Sequence, residues 1–251
     1  MSDKQPGNNM RSLDRAIDVL EVLEDAPRGL RLTEIARRAG LHVATTLRIL
    51  NALEARGRVE RDETHYRAGV GLLFGAHAYL TTSPLVAAAR PVLQDLASET
   101  GLTSSVFVRT GYSRAVIARV EGSNPLRYEL PIGERLPLHL GAGKILAAHL
   151  SDADRDELLS RVAPFVTAGG REMTGEDFTA ELDEIRGSGI AVSTDERIIG
   201  GRSVAAAVHD RDGAVTAAVQ VAGTDESVSE DRLKALAITV RNAADQLSRR
   251  L

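Results

Sequence analysis

The stretch Pro137–Lys144, PLHLGAGK, sets three small residues and a lysine where an extended run gives way to a helical one. Backbone N–H groups at Gly141, Ala142 and Gly143 lack intrahelical partners at such a start, and a helix N-terminus favours negative charge. The chemistry on offer is the binding of a carboxylate or another small anion, with Lys144 adding charge. A tight strand-to-helix turn without a ligand accounts for the same residues. A nucleotide P-loop is excluded, because that motif needs GxxxxGK followed by Ser or Thr. A second loop, Ser193–Ser203 (STDERIIGGRS), gathers Asp195, Glu196, Arg197 and Arg202 round a glycine pair. Loops often carry binding groups, although such a charge run also reads as a solvated face.

Catalysis has less footing. His42, His65, His77, His139, His149 and His209 show neither a metal-ligand spacing nor a nucleophile motif. His139, beside the glycine loop, reads as a hydrogen-bonded, half-buried residue rather than an acid or base. Cysteine is absent, which removes disulfides, thiol catalysis and cysteine-ligated metals. The expectation is no catalytic residue, no metal and no cofactor.

A third stretch points to nucleic acid. Leu32–Arg56, LTEIARRAGLHVATTLRILNALEAR, reads as two short helices joined by a tight turn at Gly40, the geometry of a helix-turn-helix. Thr33 is expected to cap the first helix, and Gly40 to end it in the left-handed conformation. Ile49, Leu50 and Leu53 form a buried stripe on the second, leaving Thr45, Thr46 and Arg48 to face base edges. An αα-corner inside an enzyme is the plain alternative. Behind it, Arg58–Ala68 reads as a β-hairpin wing, with Arg61 and Arg67 set over phosphates. Arg37 and Arg38, and Thr33 at the helix start, are further backbone contacts. Nine arginines stand against five acids between residues 26 and 67, whereas the whole chain carries −4. A locally basic segment on an acidic body suits a DNA-binding module joined to something else.

These stretches need elements to position them. The chain has 251 residues, 43% hydrophobic, 26% charged and 3% aromatic, a globular balance with an Ala/Val/Leu/Ile core. Residues 1–10 read as a polar, poorly ordered arm without a secretory core, and no apolar run approaches the ~18 residues of a membrane span. A cytoplasmic protein is therefore expected. Residues 11–68 form the winged helix-turn-helix, 69–82 a glycine-spaced linker helix, and 83–251 a second domain. Ser83-Pro84 opens that domain as N-cap and first helical residue. Strands are expected at Thr103–Arg109, Ala115–Val120, Leu126–Leu130, Ile190–Ser193, Val204–His209 and Val215–Ala222. Helices fall at Gly141–Leu150, Asp154–Val162, after Thr174, and at Glu230–Leu251. The fold class is α+β, a mostly antiparallel sheet flanked by helices.

The order of parts resembles the IclR family of bacterial transcription regulators. The likeness spans about residues 10–251 and rests on SLDRAIDVLEVL, the helix-turn-helix stretch, PLHLGAGKILAAHL, GIAVSTDERIIGGRSVAAAVHDRDG and AAVQVAG. It implies a GAF-like effector-binding domain, dimers or tetramers, palindromic operator DNA, a small-molecule effector and no membrane. It also implies that an effector carboxylate meets backbone groups at Gly141 and Ala142, with further contacts at Ser193, Ser203, Gln220 and Ala222. This sequence departs from the family where an acid is usual at Ser193, Cys at Ser203, and Ser at Gln220 and Ala222. Asp195 is near enough to supply the missing acid. The resulting expectation is a ligand-responsive regulator, a repressor of a metabolic operon. The rivals are an effector-independent DNA-binding oligomer and an enzyme acting on a small acid.

Overall fold

The computed structural model describes residues 11–124 and 130–251, which divide into two compact units at Tyr79/Leu80. The strand expected at Leu126–Leu130 and the arm at 1–10 fall outside the described residues, apart from Leu130. In the first unit, α1 (Arg11–Glu24), α2 (Leu32–Arg38) and α3 (Val43–Glu54) pack with a three-stranded sheet of β1 (Leu30–Arg31), β2 (Val59–Asp62) and β3 (His65–Ala68). Val19, Leu23, Ile35, Leu50, Val59 and Tyr66 form its core. The turn between α2 and α3 is built on Gly40 at φ +63°, whose N–H donates to Arg37 O while Leu41 N–H reaches back to Ala36 O. That paired bonding is the Schellman arrangement, and a glycine adopts the required conformation without strain.

One helix start differs from expectation. α2 begins at Leu32, its N-cap is Arg31, and no side chain caps it. Thr33 lies inside the first turn, too late in the chain to act as the cap. Pairing of β1 with β3 extends the entry strand instead, so tertiary hydrogen bonding fixes this helix start.

The linker helix, α4 (Leu72–Thr82), starts later than the expected 69, and the glycines before it have a cause in backbone packing. Gly69 and Gly71 precede the helix, and a Cβ on either would stand 2.4 or 2.7 Å from Gly57 O. Two backbone segments meet there with no space for a side chain.

The second unit is a six-stranded antiparallel sheet in the order β6-β5-β4-β11-β10-β9. Its strands are β4 (Thr103–Thr110), β5 (Ser113–Val120), β6 (Arg135–Pro137), β9 (Ile190–Thr194), β10 (Gly201–His209) and β11 (Val215–Thr224), with β7 (Phe165–Val166) and β8 (Glu172–Met173) pairing apart. The helices are α5 (Pro84–Thr100), α6 (Gly143–Ala148), α7 (Asp152–Val162), α8 (Gly175–Ser188) and α9 (Glu230–Ser248). Strand periodicity decides the layers. Val204, Ala206 and Val208 face a core shared with Leu93 of α5 and Val240 of α9. Ala205 and Ala207 face the opposite core, with Ile145 of α6 and Leu182 of α8. Ser83 caps α5, and Thr174 with Asp177 forms the capping box of α8. The sheet is therefore covered on both faces.

Candidate functional site

Three neighbouring strands bring the expected pocket residues into one row. Ser203 of β10 pairs across to Ser193 of β9 and Ala222 of β11, while Gln220 lies two residues on, along the same face. Phe107 and Arg114 approach from β4 and β5. The result is a cavity of about 50 Å³ lined by Gly141, Ser193, Ser203, Gln220 and Ala222 together with Arg114, Glu196, Arg197 and Arg202.

Two expected residues stand elsewhere. Asp195 sits at φ +54°, and its Oδ1 accepts from Gly200 N–H at 2.5 Å. It shapes the loop, and the acid that lines the cavity is Glu196. Ala142 is fully buried in the helical core and does not line the cavity. Only Gly141 does so from that turn. α6 spans six residues, so the expected dipole contribution is weak and individual groups carry the electrostatics.

Glu196 and Lys144 lock the two loops together. Glu196 Oε2 accepts from Gly141 N–H at 2.7 Å, and Oε1 accepts from Lys144 Nζ. Lys144 is 1% exposed and also donates to Glu181 Oε1 at 2.5 Å and to Val192 O at 3.1 Å. Three ammonium protons therefore meet three acceptors. The expectation that Lys144 adds free charge to an anion site is corrected: its charge is spent on two carboxylates.

Arg114 is the residue sequence reasoning missed. It is 3% exposed, its guanidinium carbon lies 4.9 Å from the Phe107 ring centre, and Nη1 donates to Leu140 O. Burial, with Arg197 adding repulsion against a smaller opposing pull from Glu196, lowers its pKa to about 9. Among the described residues its Nε has no hydrogen-bond partner, nor do Arg202 Nε and Gln220 Oε1. An arginine in phase with Val116 on a mostly apolar strand was the available signal.

His139 packs edge-on against Phe165 at 4.7 Å. Burial, then repulsion from Arg114, lowers its pKa, opposed by Glu196. Below the ordinary value of about 6.5 the unfolded chain takes a proton that folded His139 resists. Its contribution to stability is thus complete above pH 6.5 and is lost as pH falls below it. Urea midpoints at pH 7.5 and 5.5 should fall in the wild type and fall less in His139→Phe; equal losses would remove His139 as a cause.

In the first unit, Thr46 is corrected as a base reader. It is fully buried, and its hydroxyl donates to His42 O at 3.2 Å inside α3. Arg48 is exposed and Thr45 half-buried, and both border a groove with Ser12 and Arg15 of α1 and Arg56. Thr33 and Arg37 are exposed. Arg38 pairs with Glu34 at 2.5 Å, and Arg67 with Glu60 at 3.0 Å. The same Glu60 has its pKa lowered by the Val70 N–H and Arg67. Arg61 donates to Glu63 O at 2.9 Å and lies over Tyr66. The wing turns through Glu63 at φ +47°. Among the described residues no cluster of acids and histidines is arranged to hold a metal, and no single helix is long and apolar enough to cross a membrane.

Comparison with known proteins bears on both units. Residues 12–63 match the IclR helix-turn-helix domain, and residues 77–249 match the bacterial transcriptional regulator IclR C-terminal family. The HTH-type transcriptional regulator BhcR of Paracoccus denitrificans is 33% identical over 97% of this chain and 88% of that relative. The HTH-type transcriptional repressor AllR of Escherichia coli K12 is 28% identical over 95% and 89%. A solved IclR regulator from Silicibacter sp. TM1040 superposes with a TM-score of 0.83 at 25% identity, covering 95% of each chain. An IclR homologue from Microbacterium hydrocarbonoxydans, solved in complex with 4-hydroxybenzoate, shares the fold at a TM-score of 0.72 and 21% identity, covering 95% of this chain and 98% of that one. The chain belongs to the IclR family of transcriptional regulators, with a DNA-binding helix-turn-helix and an α+β C-terminal domain, and it is not an enzyme.

Proposed function

We propose that the chain is a repressor of a metabolic operon, released or tightened on its operator by a small carboxylate bound in the cavity of the second unit. The observation that carries this is the cavity itself. Arg114, Arg197 and Glu196 border it, and among the described residues Arg114 Nε and Gln220 Oε1 there are buried without partners. Buried polar groups ordinarily find partners, so an anion that also donates a hydrogen bond completes the set. A volume of about 50 Å³ holds only a few waters, which favours an acid of roughly two to four carbons. The effector contacts are Gly141, Ser193, Ser203, Gln220 and Ala222, joined by Arg114. The DNA contacts are Arg48 and Thr45 at bases, with Thr33, Arg37, Arg38, Arg61 and Arg67 on phosphates. A ligand shifts the regulator only through unequal affinity for its DNA-bound and free arrangements.

The functional form is a homodimer or a pair of dimers on a palindromic site. α4 supports this: Leu73, Phe74 and Tyr79 are 63%, 71% and 45% exposed, an apolar helix with no buried residue. Light scattering at micromolar concentration should give a multiple of 26.8 kDa; the mass of one chain would refute it. Selection of genomic fragments by the purified protein tests the DNA reading. It should enrich one or a few sites with two-fold symmetry, and enrichment no better than bulk DNA would contradict it.

A further inference from the structure

We propose that Glu196 is a tethered surrogate for the effector: its carboxylate holds the Gly141 N–H, and a small hydroxycarboxylate takes that seat, with Arg114 receiving the incoming charge. This rests on the carboxylate reading above and adds which residue must be displaced and which receives the ligand.

Four observations carry it. Glu196 Oε2 accepts the Gly141 N–H at 2.7 Å, so an internal carboxylate already fills the place where an anion would bind. Arg114 is at the same place: a Cβ on Gly141 would lie 3.1 Å from Arg114 Nη2. It is a 97% buried cation lining the cavity, without an ion pair of its own among the described residues and with Nε unpartnered. Burying a cation without a close counter-ion is costly, and a bound carboxylate supplies one. Gln220 Oε1, unpartnered on the cavity wall, accepts from a hydroxyl on the ligand.

Glu196 also has somewhere to go. It borders a second cavity of about 190 Å³ on its other side, with Lys144, Glu181 and Thr194. Its Oε1 is held by Lys144, so releasing Gly141 breaks one hydrogen bond and keeps the ion pair. Displacement is a small pivot toward Lys144. The Ser193–Ser203 loop carries Glu196, so exchange of one carboxylate for the other moves the loop that closes the pocket. Affinity is set by the difference between the two carboxylates, and the surrogate keeps weak or oversized acids out.

Calorimetric titration of the full-length protein with glycolate, L-lactate and glycerate, with acetate as the acid lacking a hydroxyl, tests this. Glu196→Ala is expected to bind the hydroxy acids at least tenfold more tightly than wild type, and Arg114→Met at least tenfold more weakly. Glu196→Gln and Arg114→Lys preserve shape and charge respectively, serve if the first pair fails to fold, and should shift affinity in the same directions by less. Exchange of the Gly141 amide proton should quicken in Glu196→Ala and slow again with glycolate. Equal affinity and equal exchange in wild type and the Glu196 variants overturn the surrogate while leaving the carboxylate reading standing. Weaker binding in the Glu196 variants also overturns it, since Glu196 would then be a ligand contact. No binding of any acid to any form defeats the carboxylate reading, and this inference with it.

Discussion

Lys144→Met is expected to destabilise the second unit by about 3–5 kcal/mol, the cost of leaving buried partners of a removed ion uncompensated. The ammonium is 2% exposed as a side chain, against 13% for Glu196 and 23% for Glu181. Water reaches Glu181 in part, which moves the expectation toward the lower end of that range. Methionine fills similar volume, so the loss comes from charge rather than from a void. Two carboxylates would then face each other with a peptide carbonyl, Val192 O, also left without its donor. The urea midpoint should fall with an unchanged slope. Adding Glu181→Gln and Glu196→Gln to Lys144→Met should recover much of the loss, because the neutral amides no longer repel. A Lys144→Met protein within about 1 kcal/mol of wild type would refute the cluster as a stabilising lock.

Arg48→Ala should weaken specific operator binding by more than tenfold and leave non-specific binding nearly unchanged. A bidentate arginine–guanine contact discriminates by about 1–3 kcal/mol. A phosphate contact would instead weaken all sequences alike and lower the salt slope by about one. Arg48 is exposed on α3 beside Thr45, and among the described residues no hydrogen bond or ion pair engages it, unlike Arg38 and Arg67. Footprinting with operator and scrambled duplexes at two salt concentrations separates the two roles. Equal losses on both duplexes would move Arg48 from the bases to the backbone. Thr46→Ala, by contrast, should act through stability of the first unit, since its hydroxyl is sealed against His42 O.

Much of this was legible in the residue order. Helical spacing gave α3 its stripe, Gly40 marked a left-handed turn, and Ser83-Pro84 and Thr174 marked helix starts. These are local signals, in which a few neighbouring residues determine backbone conformation. Most of the misses were long-range. Thr46 stands four residues before Leu50 and seven before Leu53, so helical spacing already set it on the buried stripe, and its polar type drew it to the DNA face instead. Asp195 was chosen over Glu196 by proximity along the chain, but a left-handed turn at 195 points Asp195 into its own loop and Glu196 at Gly141. Gly69 and Gly71 looked like helix glycines until Gly57, a dozen residues earlier, supplied the reason for them. Arg114 became meaningful only when β5 brought it opposite the glycine loop. The strands that line the pocket were readable; which charges meet in it depends on a strand end at Arg114 and a loop at Glu196 and Arg197, which the strand pattern does not bring together.

The most direct measurement is operator affinity, by fluorescence anisotropy on a fragment from the genomic selection, with and without glycolate, L-lactate or glycerate. At least one acid should change affinity tenfold or more in the wild type, and Arg114→Met should bind the fragment but lose that response. An operator affinity that no acid alters, in a protein that calorimetry shows to bind one, would contradict the account.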